Sequence, residues 1–222
     1  MNLEPCYSNE KEIFEIGVDE VGRGPMFGRV YSAAVILPKD DSFKHHLMKD
    51  SKKFTSVKKL KETADYIKNN CIAYSVAYQD EKSIDKNNIK NATYLAMHEC
   101  IKKIINNNNN NYLLLVDGKD FKPLTYFCEK TKCIKEYDSV NIIGGDNKYT
   151  AIAAASILAK VERDNYIEEL CTRYPKLVEL YDLFQNKGYG TKKHMDGIKE
   201  NGITEWHRKS FGICKTSKVI TI

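Results

Sequence analysis

No stretch of this 222-residue chain is apolar for long enough to cross a bilayer; the longest such run, 151–159, falls far short of the roughly 20 residues a spanning helix needs. The N-terminal segment MNLEPCYSNEKEIF carries acids and a proline where a secretory leader has a basic start and an apolar stretch. Together these absences predict a cytoplasmic protein. The seven cysteines are odd in number and include no CxxC pair, which argues against a disulfide framework and against a structural zinc site. Cys128 and Cys133 lie closest in sequence, and a reducing compartment suits them. There is no internal repeat, no P-loop, and no ordering of Ser, His and Asp that points to a hydrolase triad.

What is present is an ordinary globular composition, 42% hydrophobic and 29% charged, long enough for one sizeable core and read as a single catalytic-sized unit. The net charge of +5 permits a polyanionic partner without demanding one. Its distribution is uneven. The segment KDSKKFTSVKKLKE (49–62) holds six lysines against two acids, and 187–218 holds eight basic residues against three acids. Either cluster, taken alone, reads equally well as a solvated helix face.

Residues 16–19 and 30–37 are rich in β-branched and apolar residues and read as neighbouring strands joined through a Gly-Arg-Gly-Pro turn. Val57, Leu60, Ala64 and Ile67 recur at helical spacing, with Ser56 placed to cap them. CIAYSVAYQ (71–79) alternates as a third strand, and 89–105 reads as a second amphipathic helix. YLLLVDG (112–118) has the continuous apolar pattern of a strand buried on both faces. A short fifth strand, VNIIGG, precedes a strong helix over 151–170, and the asparagine run 106–111 reads as a low-complexity loop. Strands alternating with helices predict an α/β sheet covered on both sides.

In such sheets ligands gather at the carboxyl ends of strands. Asp19, Asp117 and Asp146 each end a predicted strand, and Glu20 adds a fourth acid. Adjacent strand residues point to opposite faces, so Asp19 and Glu20 are expected to share a site through a backbone bend that Gly22 and Gly24 permit. Four converging carboxylates repel one another unless a cation sits among them. An all-oxygen set with open water positions suits Mg²⁺ or Mn²⁺, and two such ions about 4 Å apart can serve phosphodiester cleavage. Taken singly, an Asp before a glycine is as readily a turn residue or cap. The glycines at 22, 24 and 28 make a poor dinucleotide fingerprint, because Pro25 intrudes and a strand follows.

The motifs DEVGRGP (19–25), DSKKF (50–54), LVDGK (115–119), GDNKYTAIAAASILAKVERD (145–164), NKGYGTKKH (186–194) and EWHRKSFG (205–212) together resemble bacterial type 2 ribonuclease H, in order and over nearly the whole chain. The resemblance implies a ribonuclease H-like α/β fold, a mixed five-stranded sheet flanked by helices. It implies one catalytic domain over 1–222, with about 166–222 forming a C-terminal helical extension that binds substrate. The implied activity is endonucleolytic cleavage of the RNA strand in RNA–DNA hybrids. It extends to nicking 5′ of single ribonucleotides in duplex DNA, leaving 3′-hydroxyl and 5′-phosphate ends, as ribonucleotide excision and primer removal require.

By motif position, the resemblance assigns Asp19, Glu20, Asp117 and Asp146 to Mg²⁺ or Mn²⁺, with two ions during catalysis. Gly22, Arg23 and Gly24 would report the 2′-hydroxyl, the group that distinguishes RNA from DNA. Tyr189, between Gly188 and Gly190, would lie against the following deoxyribose. Ser156, Lys160 and Arg163 fall on one face of a helix, and the resemblance assigns the first two to phosphate contacts. Lys52 and Lys53, with Arg208 and Lys209, are expected to hold the duplex backbone. The partner is therefore a hybrid or ribonucleotide-containing duplex rather than a membrane, and the chain is expected to act as a monomer.

Departures from the family pattern are Gly144, where lysine is usual, Arg29 after the turn, and the long asparagine run. A type 3 enzyme would carry an extra N-terminal domain, for which the 18 residues before Asp19 are expected to be too few. A catalytically silent hybrid-binding protein is disfavoured by retention of all four acids, which oppose binding of a polyanion.

Overall fold

The computed structural model describes residues 3–105 and 111–222. The predicted loop over 106–111 lies outside the described residues except for Asn111, which opens a strand. Strands β1 (Ile13–Val21) and β2 (Val30–Ile36) pair antiparallel. Helix α1 (Val57–Asn70) follows, capped as expected by Ser56, whose hydroxyl accepts from the Lys59 amide. Strand β3 (Ala73–Gln79) pairs antiparallel with β2 and leads into helix α2 (Glu81–Ile104). Strand β4 (Asn111–Asp117) runs parallel to β1.

A small hairpin of β5 (Thr125–Cys128) and β6 (Cys133–Glu136) precedes β7 (Asp138–Ile142), which is parallel to β4. Helix α3 (Thr150–Arg173) crosses the sheet, and α4 (Lys176–Tyr181), α5 (Leu183–Asn186) and α6 (Lys192–Asn201) follow it. The order β3-β2-β1-β4-β7 is the mixed five-stranded sheet that the resemblance implies.

Two cores flank the sheet. Ile16 and Val18 pack with Leu114, Val116, Met97 and Ile101 on the α2 side. The opposite face meets α3 closely: a Cβ on Gly17 would stand 2.2 Å from the Ala151 carbonyl carbon, so only glycine lets the helix lie flat on β1. Alanine-rich α3 exploits that approach, with Ala151, Ala153, Ala154 and Ala155 all buried.

Two elements differ from expectation. Helix α2 begins at Glu81 rather than 89, because a first turn capped by Asp80 precedes a break at Asn88, where φ is 62°. Asn88 then caps the second segment, its side-chain oxygen accepting from the Asn91 amide at 3.1 Å. The periodicity therefore marked only the second piece. The β5–β6 hairpin was unpredicted: its strands are four residues each and mostly exposed, and so carry little burial pattern.

Candidate active site

The parallel register of β1 and β4 pairs Val18 with Val116, so the next residue of each strand is an aspartate, Asp19 beside Asp117. Asp146 arrives from the third parallel-side strand, in the short turn Gly145–Asn147 after β7. A bond from the Gly145 amide to Asp117 Oδ1, 2.6 Å long, ties that turn to β4. Gly144, in the left-handed region at φ 65°, lets the chain reverse there, which accounts for glycine in place of a larger residue.

The expected bend at residues 19–20 is absent. Regular pairing continues through Val21 opposite Tyr31, so β1 extends two residues past Asp19. Because Val18 faces α2, Asp19 faces α3 and Glu20 returns to the α2 side. The acids are nevertheless within electrostatic reach of one another around the end of the sheet. Asp117, at the tip of the neighbouring strand, is an electrostatic neighbour of Asp19, Glu20 and Asp146.

Burial, then the charges of Glu20 and Asp117, push the Asp19 carboxyl well above the ordinary carboxylate range, against hydrogen bonds from Ser156 and the Glu20 amide. Burial also raises Glu20, opposed chiefly by Arg23, whose Nη1 lies 3.2 Å from its Oε1. Asp146 is raised by burial and then by Asp50 and Asp117, with Asn147 and Lys52 opposing.

This donor set is all oxygen, crowded and short of positive charge, the chemistry that a hard divalent cation satisfies. Among the described residues, no three carboxylates, histidines or cysteines come close enough together to hold an ion by themselves. The acids fit a site in which water and phosphate oxygens complete the coordination.

Behind the acids, Ser156 is buried and its hydroxyl lies 3.0 Å from that of Ser51. It hydrogen-bonds Asp19 and faces inward in the free protein, beside the carboxylate rather than at the surface. Within DSKKF, Ser51 and Asp50 have structural work that their sequence does not signal: Asp50 caps the turn Ser51–Lys53 and accepts from Asn147. That turn presents Lys52 to Asp146, while Lys53 bonds Asn147. Lys160 is partly exposed and pairs with Asp164 at 2.7 Å.

On the other flank, the loop 22–29 carries the residues expected to read the sugar. Its carbonyls turn inward. Arg208, fully buried, donates to the carbonyls of Gly22, Arg23, Pro25 and Gly28. The expected phosphate contact for Arg208 is thus corrected: its guanidinium is enclosed in protein and its donors point at backbone. Only Lys209 of that pair is exposed. Arg163, placed by periodicity on the polar face with Ser156 and Lys160, is likewise fully buried. Arg29 is sandwiched between Tyr78 and Tyr166, 4.0 and 4.2 Å from the two ring centres.

Tyr189 is 47% exposed, and a Cβ on Gly24 would lie 3.6 Å from its ring, so the two expected sugar-facing groups are adjacent. A buried histidine pair supports this tyrosine. The Thr204 amide can only donate, so His207 Nδ1, 3.0 Å away, is an acceptor. His207 Nε2–H then donates to His194 Nε2 at 3.2 Å, and His194 Nδ1–H donates to the Tyr189 carbonyl at 2.9 Å. Both rings must be neutral for this chain of bonds to hold.

Burial and then the adjacent His194 push His207 down to about 3. The unfolded histidine, with a pKa near 6.5, takes up a proton that the folded one refuses, so stability is lost as pH falls from about 6.5 towards 3. At pH 5 this amounts to about 2 kcal/mol. Urea unfolding at pH 7 and pH 5 is expected to show this loss in the parent protein and a smaller one in His207→Gln. An equal loss in both would assign the pH dependence elsewhere.

The family model described as Ribonuclease HII matches residues 16–214. The chain is 39% identical over 212 residues to a ribonuclease HII of Phocaeicola vulgatus, covering 96% of each, and 42% identical over 209 residues to one of Caldicellulosiruptor bescii, covering 94% of this chain and 91% of that one. Among solved structures, the PCNA:RNase HII complex from Archaeoglobus fulgidus superposes with a TM-score of 0.67 at 25% identity, over 90% of this chain and 95% of that one.

Proposed function

This chain belongs to the ribonuclease HII family, and from that we propose a metal-dependent endonuclease that cuts the RNA strand of RNA–DNA hybrids and nicks 5′ of a single ribonucleotide in duplex DNA. The products are a 3′-hydroxyl and a 5′-phosphate. One observation carries this reading above the rest: Asp117 sits as electrostatic neighbour to three other acids at the sheet end, on the flank where the 22–24 loop and Tyr189 lie side by side.

Asp19, Glu20, Asp117 and Asp146 would hold Mg²⁺ or Mn²⁺, which when bound supplies activation of a water and stabilisation of the departing oxygen. The chain's own residues do the rest. Gly22, Arg23 and Gly24 present backbone groups to the 2′-hydroxyl, with no Cβ on either glycine to keep the sugar away. Arg208 holds that loop's carbonyls inward; the Met26 and Gly28 amides are bonded to Gly188 and Trp206, so a ligand would meet the amides of residues 22–24. Tyr189 offers an exposed ring for the next sugar. Lys52 lies beside Asp146, where a phosphate would approach, and Lys160, Lys53 and Lys209 add positive charge that positions a duplex without reading sequence. The segment 166–222 contributes Tyr189 and Arg208 and forms the C-terminal substrate-binding part of the single domain.

The test is a labelled DNA duplex containing one ribonucleotide, incubated with Mg²⁺, Mn²⁺ or chelator. A nick on the 5′ side of the ribose, dependent on the ion, is expected; an intact duplex under every condition refutes the assignment. Tyr189→Ala is expected to slow this substrate about tenfold more than a long RNA–DNA hybrid, an energy of about 1.4 kcal/mol, within the range of one lost aromatic stacking contact. Equal losses on both substrates would remove Tyr189 from junction recognition.

A further inference from the structure

Arg163 lies at the centre of the substrate-binding flank, fully buried and facing no carboxylate partner within bonding distance among the described residues. Its Nη2 donates to the Lys187 carbonyl at 2.8 Å and to the Phe27 carbonyl at 3.3 Å, and its Nε donates to the Arg29 carbonyl at 3.3 Å. One guanidinium thus bonds two separate loops: the 22–29 loop that follows β1, and the 187–190 loop that carries Tyr189.

The surrounding geometry makes that bridge a spacer. A Cβ on Gly22 would stand 2.4 Å from Arg163 Nε, so the loop rests directly on the guanidinium. The Tyr189 ring centre is 5.9 Å from Arg163 Cζ. The Met26 amide donates to the Gly188 carbonyl at 3.0 Å, closing the same gap from the backbone. A planar group with donors in fixed directions sets a distance that a flexible ammonium does not. Burying an arginine without an acid partner is expensive, and its persistence here marks a place where its three carbonyl bonds matter.

We propose that Arg163 is a positioning residue that fixes the separation between the 22–24 loop and Tyr189, so that a ribose and the sugar after it are recognised as one unit. The proposal rests on the reading of Tyr189 given above. It makes preference for an RNA-to-DNA junction a property of the bridge between the loops as well as of the tyrosine.

The experiment compares kcat/KM on a single-ribonucleotide duplex with that on a long hybrid, for the parent protein, Arg163→Lys, Tyr189→Ala and the double variant. Arg163→Lys keeps the charge and loses the fork; displacements of about 1 Å at a reacting site cost up to about a hundredfold, and a tenfold fall in junction preference is expected. In the Tyr189→Ala background the same substitution is expected to cost no further preference, because coupled residues are not additive. Additive losses, or equal losses on both substrates, overturn the proposal.

Gly188→Ala reaches the same bridge without touching Arg163. Its Cβ would lie 2.8 Å from the Phe27 carbonyl oxygen, at a φ of 85°. It is expected to reproduce the selective loss even if Arg163→Lys does not fold; an unchanged preference in Gly188→Ala counts against the spacer. Should Tyr189→Ala alone leave junction preference intact, the tyrosine reading fails. Should Tyr189→Ala remove it while both bridge variants keep it, only the spacer fails.

Discussion

Asp117→Asn is expected to reduce ribonucleotide-dependent nicking by about a thousandfold or more while hybrid binding persists. Of the four acids, Asp117 is the one with electrostatic contact to all the others, so neutralising it weakens every pairing through which a divalent ion would be held. A loss of about 4 kcal/mol of transition-state stabilisation corresponds to that thousandfold, and a metal ion supplies energy of this order.

Binding of the polyanion is expected to hold or improve when ions are chelated, because one negative charge is removed. Single-turnover cleavage and fluorescence anisotropy on the same labelled duplex separate the two effects. Cleavage within about threefold of the parent would show that the acids are not the reaction centre. Asparagine also keeps an oxygen for the Gly145 amide, so the turn carrying Asp146 is retained and a loss of rate is not a loss of fold.

The second large effect is on stability. Arg208→Met is expected to destabilise the protein by about 4 kcal/mol or more, a large share of the roughly 5–15 kcal/mol of a typical domain. Four loop carbonyls lose their donor at once, and each buried acceptor left without one costs about 1–3 kcal/mol, less where water reaches it. Arg208→Lys is expected to recover no more than about half, since an ammonium has three donors around one point and cannot span four carbonyls. Burial, then the nearby Arg163 charge, lower the Arg208 guanidinium to about 9, which still leaves it protonated at neutral pH. Urea unfolding at pH 7 measures both variants; a change below about 1 kcal/mol for Arg208→Met would mean that the loop holds its shape without the clamp.

The two buried histidines and two buried arginines behind Tyr189 and the 22–29 loop carry no signal in the sequence pattern. Strand patterns were legible because β1, β2 and β4 bury side chains in regular runs, and Ser56 could be assigned as a cap because its hydroxyl acts three residues away. The aspartates were legible for a related reason: Asp117 ends the apolar run of β4 and Asp19 lies just past the buried centre of β1, while Asp146 stands in the turn after β7, beside a Gly-Gly break. The turn at Asp50 and Ser51 was not legible, since its partners Asn147 and Ser156 are about a hundred residues away. Nor was the first turn of α2, which the break at Asn88 separates from the periodic stretch.

Local periodicity and residue chemistry were enough for the α/β class, for the order of the strands along the chain, and for the expectation of an all-oxygen set of acids near their ends. Long-range packing set the rest: Asp19 and Glu20 lie on opposite faces of an unbent strand, and Arg163 and Arg208 point inward. An arginine lies in solvent or in the core according to whether enough acceptors are brought around it. Here those acceptors are backbone carbonyls of irregular loops, which every residue possesses and no sequence pattern distinguishes.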